Sequence, residues 1–397
     1  KEYWDLIRRE PKYQGGYIWD FADQAVRWKN KEGKTFLAYG GDFNDYDASD
    51  NNFCDNGIVA PDRTWHPHAY EVKHYYQNIW ATPIALSKGK VELYNEYFFR
   101  DINNYRLVWA LLANGEPVQS GTVEDINIQP QGKKQVTIPY NIEEACPKAE
   151  LTLDLRFVLK TSEPLLAAGE ELGRQQFTVR DIDLANTACC KGACNASCGA
   201  ATAADVDVQV NPATGFISKY CVNGVSYLAE GKEITPNFWR APTDNDFGAG
   251  LQRHYKAWRT PEMKVVSVNK AEADAEGKTV YTSVIQLPKV GCTLTMTYAV
   301  HADGTLDITE KLDTIGGNCP EAKEYRSKHK NDKGLFRVGL IVPMPSDMNI
   351  STYYGLGTTD TYADRKSSGY LGIYTQTAAE QYYPYLRPQE TGLHRDI

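Results

Sequence analysis

The residues whose types and spacing could do chemistry gather near the start of the chain. In GGYIWDFADQ (15–24), Trp19 offers an aromatic face, and Asp20 and Asp23 offer carboxylates just after a glycine pair. An indole can stack on the apolar face of a sugar ring. Carboxylates can hydrolyse a glycosidic bond, which in retaining enzymes takes two of them about 5 Å apart. The cluster is equally compatible with a packed tryptophan and a helix cap, and spacing alone certifies no acid–nucleophile pair. In HPHAYEVKH (66–74), His66, His68 and His74 offer three imidazoles, a zinc-type donor set. Pro67, however, suits the first position of a helix, and no Cys or carboxylate stands at a set distance, so a helix start is the better reading. The loop NNFCDNG (51–57) is rich in oxygens that suit a hard cation; a turn at Asn56–Gly57, with the Asn bonding its own backbone, is the alternative. Cys189, Cys190, Cys194 and Cys198 crowd into ACCKGACNASCGAA (188–201) without a histidine or a zinc spacing. The other five cysteines are scattered, and the redox compartment stays open. The chain has no G-x-S-x-G, P-loop or dinucleotide fingerprint, so acyl, phosphoryl and hydride transfer lose their best support.

The elements that must position these residues change in period along the chain. Residues 1–14 read as a helix ending near Pro11, followed by a short strand, Tyr17–Trp19. A long Gly/Asp/Asn-rich loop then leads to a second helix from about Pro67 to Asn78. Helix, strand, loop and helix is the unit of an α/β domain, whose functional loops belong at the C-terminal ends of its strands. From about residue 80 the period becomes two. Tyr105, Leu107, Trp109 and Leu111 alternate up to an Asn114–Gly115 hairpin signal, and Leu151, Leu153, Leu155, Phe157 and Leu159 form a one-sided strand. About a hundred residues of such strands fit an immunoglobulin-like sandwich. Beyond the Cys-rich loop, strands at Val206–Val210, Gly215–Tyr220, Val280–Leu287 and Leu294–Val300, with an Asp303–Gly304 turn, predict a larger all-β domain. The charged stretch 321–334 interrupts it as a solvated insertion.

Composition excludes other classes. The 397 residues predict two or three domains, with 42% hydrophobic and 24% charged residues, enough to bury sizeable cores. A net charge of -8 argues against nucleic acid and anionic lipid as partners. No apolar run approaches the roughly 18 residues of a membrane span. The opening KEYWDLIRRE is neither a leader nor a clean start and reads as a helix already under way, which predicts a piece of a longer protein.

The motifs GGYIWDFADQ (15–24), AYGGDFND (38–45), NFCDNGIVAPDRTWHPHAYEVKH (52–74) and NFWRAPTDNDFG (237–248) resemble the C-terminal half of the bacterial β-galactosidases of glycoside hydrolase family 2, and YYGLGTTDTYADR (353–365) and RPQETG (387–392) resemble later motifs of that family. The resemblance runs in one order along nearly the whole chain. It implies a mostly β multidomain fold: the end of a (β/α)8 catalytic barrel (1–79), an immunoglobulin-like β-sandwich (80–180), a Cys-rich loop (181–204) and a large β-sandwich of the galactose-mutarotase-like supersandwich type, truncated at its C-terminus (205–397).

It further implies a retaining exo-β-galactosidase as the parent protein, with both catalytic glutamates upstream of this chain. The chain would retain Trp19 as a substrate platform, and Phe53, through its carbonyl, with Asn56, through its side chain, as part of a sodium site. The implied cofactors are Na+ and, in the full enzyme, Mg2+. The implied partners are a galactoside and further copies of the enzyme in a homo-oligomer; the compartment, bacterial cytoplasm or periplasm, is not specified. Asp360 departs from the family's late motif, which usually carries glutamate there, and the Cys-rich loop and the 321–334 insertion are foreign to the pattern. The rival expectation is a non-catalytic carbohydrate-binding or scaffold protein of β-sandwiches. Against it stands the barrel remnant, whose open edges and apolar faces a stand-alone module would not keep.

Overall fold

In a computed structural model, the structure describes residues 1–145, 147–181, 204–271, 273–275, 277–313 and 335–394. The first helix, α1 (Glu2–Arg9), carries Glu2 and Asp5 in its first turn and Arg8 and Arg9 in its last, the arrangement the helix dipole favours. It ends before Pro11, earlier than the sequence predicts. Arg8 ties it down: the guanidinium lies 4.4 Å over the Trp80 ring and forks onto Glu96 at 2.7 and 2.9 Å.

The strand expected at Tyr17–Trp19 does not form. Tyr17, Ile18 and Trp19 are exposed, and a strand without a hydrogen-bonded neighbour has no ladder. Pairing begins one residue later, where residues 20–24 run along residues 54–59 with a parallel bridge at Ala22 and Val59. A hairpin of β1 (Val26–Lys29) and β2 (Thr35–Ala38) follows, then the loop expected here, which holds 3-10 turns at Gly40–Asp42 and Asn51–Cys54. Helix α2 (Pro67–Tyr76) starts with Pro67 in its first turn, as predicted.

A two-sheet sandwich succeeds it. Strands β3 (Ile79–Ala85), β4 (Lys90–Asn95) and β7 (Lys133–Thr137) form one sheet. Strands β5 (Tyr105–Ala113), β6 (Glu116–Val123), β8 (Leu151–Leu159) and β9 (Glu171–Arg180) form the other, in the order β6-β5-β8-β9. The Asn114–Gly115 hairpin closes with Ala113 opposite Glu116, and both turn residues take positive φ, the backbone that a two-residue hairpin demands. Tyr105, Leu107, Leu153, Leu155 and Phe157 are wholly buried between the sheets, each such side chain contributing about 1.5–3 kcal/mol. Strand β8 is not one-sided, however: Thr152 and Asp154 on its other face are buried too.

The chain divides into two compact units, Lys1–Cys198 with Ile350–Ile397, and Gly199–Asn349. In the second, β10 (Val206–Val210), β11 (Ile217–Val222) and β12 (Val225–Ser226) form a three-stranded sheet. Strand β13 (Thr235–Asn237) precedes the short helices α3 (Asp244–Ala249), α4 (Leu251–His254) and α5 (Lys256–Arg259). Strands β14 (Lys264–Lys270), β15 (Thr279–Leu287), β16 (Cys292–Val300) and β17 (Leu306–Asp313) form an antiparallel meander, and β18 (Gly339–Ile341) pairs with β13. Leu294, Met296 and Tyr298 alternate into the core with Ile285, Leu287 and Ile217. At NFWRAPTDNDFG, Thr243 and Asp246 make a capping box and Arg240 grips Asp246 at 2.5 and 3.0 Å.

The hairpin of β19 (Ile350–Gly357) and β20 (Tyr370–Thr377) belongs to the first unit. It covers the outer face of β8 and β9. Arg174 pairs with Asp154 at 2.8 and 2.9 Å and lies 4.1 Å over Tyr370, while the Gln176 amide bonds both the N–H and the carbonyl of Leu371. The Cys189–Cys198 cluster and the 321–334 insertion lie outside the described residues. Among the described residues no helix is long and apolar enough to cross a membrane.

Candidate functional site

The site grows from the ladder between residues 20–24 and 54–59. Asp20 N–H donates to Asn56 at 3.1 Å, Ile58 N–H to Asp20 at 3.1 Å, Val59 N–H to Phe21 at 3.1 Å, Asp23 N–H to Val59 at 3.0 Å and Gln24 N–H to Cys54 at 2.7 Å. Gly57 sits so close to the facing strand that an added Cβ would lie 2.1 Å from the Asp23 nitrogen. Only glycine permits that approach.

Asp23 ties the ladder inward. One carboxylate oxygen accepts Gly57 N–H at 2.8 Å and the other lies 2.8 Å from His66 Nε2. Asp23 is 6% exposed and His66 3%. The His66 ring lies nearly parallel to those of His68 and Tyr385, with centroids at 5.2 and 5.3 Å, and meets Tyr383 in an edge contact at 5.2 Å. His68 Nε2 lies 3.1 Å from the Gly57 carbonyl, so this nitrogen carries the proton and donates. Burial, more than any neighbour, lowers the His68 pKa to about 4, which keeps the ring neutral near pH 7. The third histidine goes elsewhere, its Nδ1 lying 3.4 Å from the Tyr370 hydroxyl.

Trp19, immediately before the ladder, is 76% exposed, and Phe53, across from it in sequence, is 67% exposed. The Asn56 amide nitrogen donates to the Phe53 carbonyl at 2.8 Å. A half-turn of that amide brings its oxygen beside the carbonyl oxygen, giving two adjacent neutral donors of the kind a hard monovalent cation accepts. As placed, the amide bonds the backbone of its own loop, the arrangement of a turn; only with the amide flipped would the pair offer two oxygens to a sodium ion, and further ligands would have to come from other groups. The neighbouring Asp20 keeps one buried carboxylate oxygen without a hydrogen-bond partner, while Gln24 donates to the other at 2.7 Å. Among the described residues no three His, Cys, Asp or Glu side chains gather to hold a metal, so a magnesium ion finds no such cluster here.

The two late motifs meet each other. Asp360 is buried and accepts Gly392 N–H at 2.7 Å, and Thr361 N–H donates to Leu393 at 2.8 Å. Burial raises the Asp360 pKa. Asp360 thus pins the segment that carries Tyr383 and Tyr385, two residues that sequence reasoning misses. The aromatic run QYYPY is the signal that could have drawn attention to them, but nothing local ties it to His66.

Residues 1–81 match the family described as "Glycosyl hydrolases family 2, TIM barrel domain", residues 91–180 "Beta-galactosidase, domain 4" and residues 202–397 "Beta galactosidase small chain". A β-galactosidase of Priestia megaterium is 32% identical over 410 residues, covering 100% of this chain and 37% of that relative. One of Photobacterium profundum is 32% identical, covering 99% and 38%, and one of Streptococcus thermophilus is 30% identical, covering 98% and 36%. The chain spans well under half the length of the curated relatives it matches.

Proposed function

The chain belongs to the glycoside hydrolase family 2 β-galactosidases, within their C-terminal half, and from that premise we propose that it forms part of a retaining exo-β-galactosidase that releases terminal β-galactosyl groups. The observation that carries the reading is the exposed Trp19 indole, held one residue from a backbone bond to Asn56. Its flat apolar face suits the apolar face of galactose, and it lies within the barrel portion, immediately before the paired segment 20–24.

The chain's own residues bind and orient in this reading. Trp19 receives the sugar ring, while the ladder holds the Phe53 carbonyl and Asn56 amide beside it. A bound sodium ion would supply a fixed positive charge that orients sugar oxygens. The acid/base and the nucleophile are two glutamates supplied from outside residues 1–397, working by double displacement about 5 Å apart. Asp23 is an unsuitable substitute, because its carboxylate is committed to Gly57 and His66. Magnesium and homo-oligomer assembly belong to the complete enzyme in the same proposal.

The test compares the purified chain with the complete enzyme on a chromogenic β-galactoside. The complete enzyme should turn over and respond to sodium, with the response weakened in Asn56→Ala, and the chain alone should be inactive. A sodium response unaltered in Asn56→Ala makes Asn56 a turn residue only. A complete protein that binds galactosides without hydrolysing them favours the carbohydrate-binding alternative.

A further inference from the structure

We infer that the buried Asp23–His66 pair, braced by Tyr385 from the far end of the chain, is the positioning device that couples the Trp19 platform to the Phe53–Asn56 cation ligands. The inference rests on the galactosidase reading and names residues that act through others. Asp23 reaches both sides of the ladder: its backbone belongs to the segment that carries Trp19, and its carboxylate holds Gly57 N–H, the peptide that follows Asn56. Asn56 in turn accepts from Asp20, the residue after Trp19. The backbone beside the platform and the loop of the cation ligands thus share one hydrogen-bonded frame.

What fixes the frame is a column of rings. His66 lies 2.8 Å from Asp23 and stacks with the nearly parallel rings of His68 and Tyr385. His68 holds the carbonyl of Gly57 while Asp23 holds its N–H, so this one residue is gripped from both sides. With Asp23 and His66 both closed to solvent, proton exchange with a bound sugar is excluded, and support is the work left to them. Tyr385 reaches the column from a segment pinned by the Asp360–Gly392 bond, which gives the late motifs a part in the site without their touching it.

The test uses the complete enzyme and two measurements that need no turnover: sodium affinity from 23Na line broadening, and the affinity for a non-hydrolysable thiogalactoside from tryptophan fluorescence. Tyr385→Leu should weaken both in parallel by about tenfold, the scale at which supporting partners act on metal sites. Tyr385→Phe, which keeps the stacked ring and loses only the hydroxyl's bond to Arg365, should stay much closer to the parent than Tyr385→Leu. Tyr385→Leu with a lowered melting temperature and both affinities unchanged would overturn the inference and leave a packing role. If Tyr385→Leu does not fold, Asp23→Asn decides by the same criterion, parallel weakening supporting the inference and unchanged affinities refuting it. A parent enzyme that takes up neither probe refutes the galactosidase reading itself and the inference with it. Parent binding with unaltered variants refutes the inference alone.

Discussion

His66 Nε2 lies 2.8 Å from Asp23 Oδ2, with both side chains sealed from water. A histidine beside a carboxylate invites an acid–base reading, yet this pair has no access to a substrate. Its remaining carboxylate oxygen holds Gly57, so the pair organises backbone rather than moving protons.

Trp19 tests the platform. Because the ring is 76% exposed in this chain, Trp19→Ala in the isolated chain should leave the melting temperature within about 2 °C, as surface substitutions usually do. In the complete enzyme, loss of stacking should raise KM for a galactoside by about tenfold, on the order of 1.4 kcal/mol. A variant that unfolds, with unchanged kinetics in its surviving fraction, would make Trp19 a packing residue.

His68 gives the fold a pH dependence of known sign. Its pKa falls from 6.5 in the unfolded chain to about 4 in the fold through burial, so between those values the unfolded state binds the extra proton. Stability from this residue is full above about pH 6.5 and is lost as the pH falls to about 4, on the order of 2–3 kcal/mol. Urea unfolding from pH 7 to 4 should show a shallower slope in His68→Gln, which keeps a donor for Gly57. Equal slopes would contradict this assignment.

Arg174 tests the cover over β8. Arg174→Ala leaves Asp154 buried without its forked partner and strips the cation from Tyr370, which should cost about 3 kcal/mol. The double variant Arg174→Ala/Asp154→Leu should recover most of that loss. If the single variant melts like the parent, the β19–β20 hairpin is held by other contacts.

What was legible in the sequence was local. The Asn114–Gly115 turn, the alternation of Leu294, Met296 and Tyr298, and the Pro67 helix start each depend on neighbours a few residues away, and each appears in the structure where the residues predict it. Tyr17–Trp19 had strand residues but needed a partner strand, and pairing instead begins at Asp20. The alternation through β8 predicted a solvated face, because nothing local announces that Tyr370 and Arg174 will cover Asp154. At the candidate site, resemblance alone offered Trp19, Phe53 and Asn56, and their roles remain part of the proposal. The ring column of His66 and Tyr385 was not, since it joins residues from opposite ends of the chain.

The central claim is that this chain supplies binding and positioning while the nucleophile lies elsewhere in the protein. A 2-deoxy-2-fluoro-β-galactoside with a good leaving group slows the second step of a double displacement and leaves the sugar bonded to the nucleophile. Peptide mass spectrometry of the inactivated complete enzyme should place the label on a glutamate outside residues 1–397. A label on Asp20, Asp23 or any other carboxylate within this chain would contradict the account.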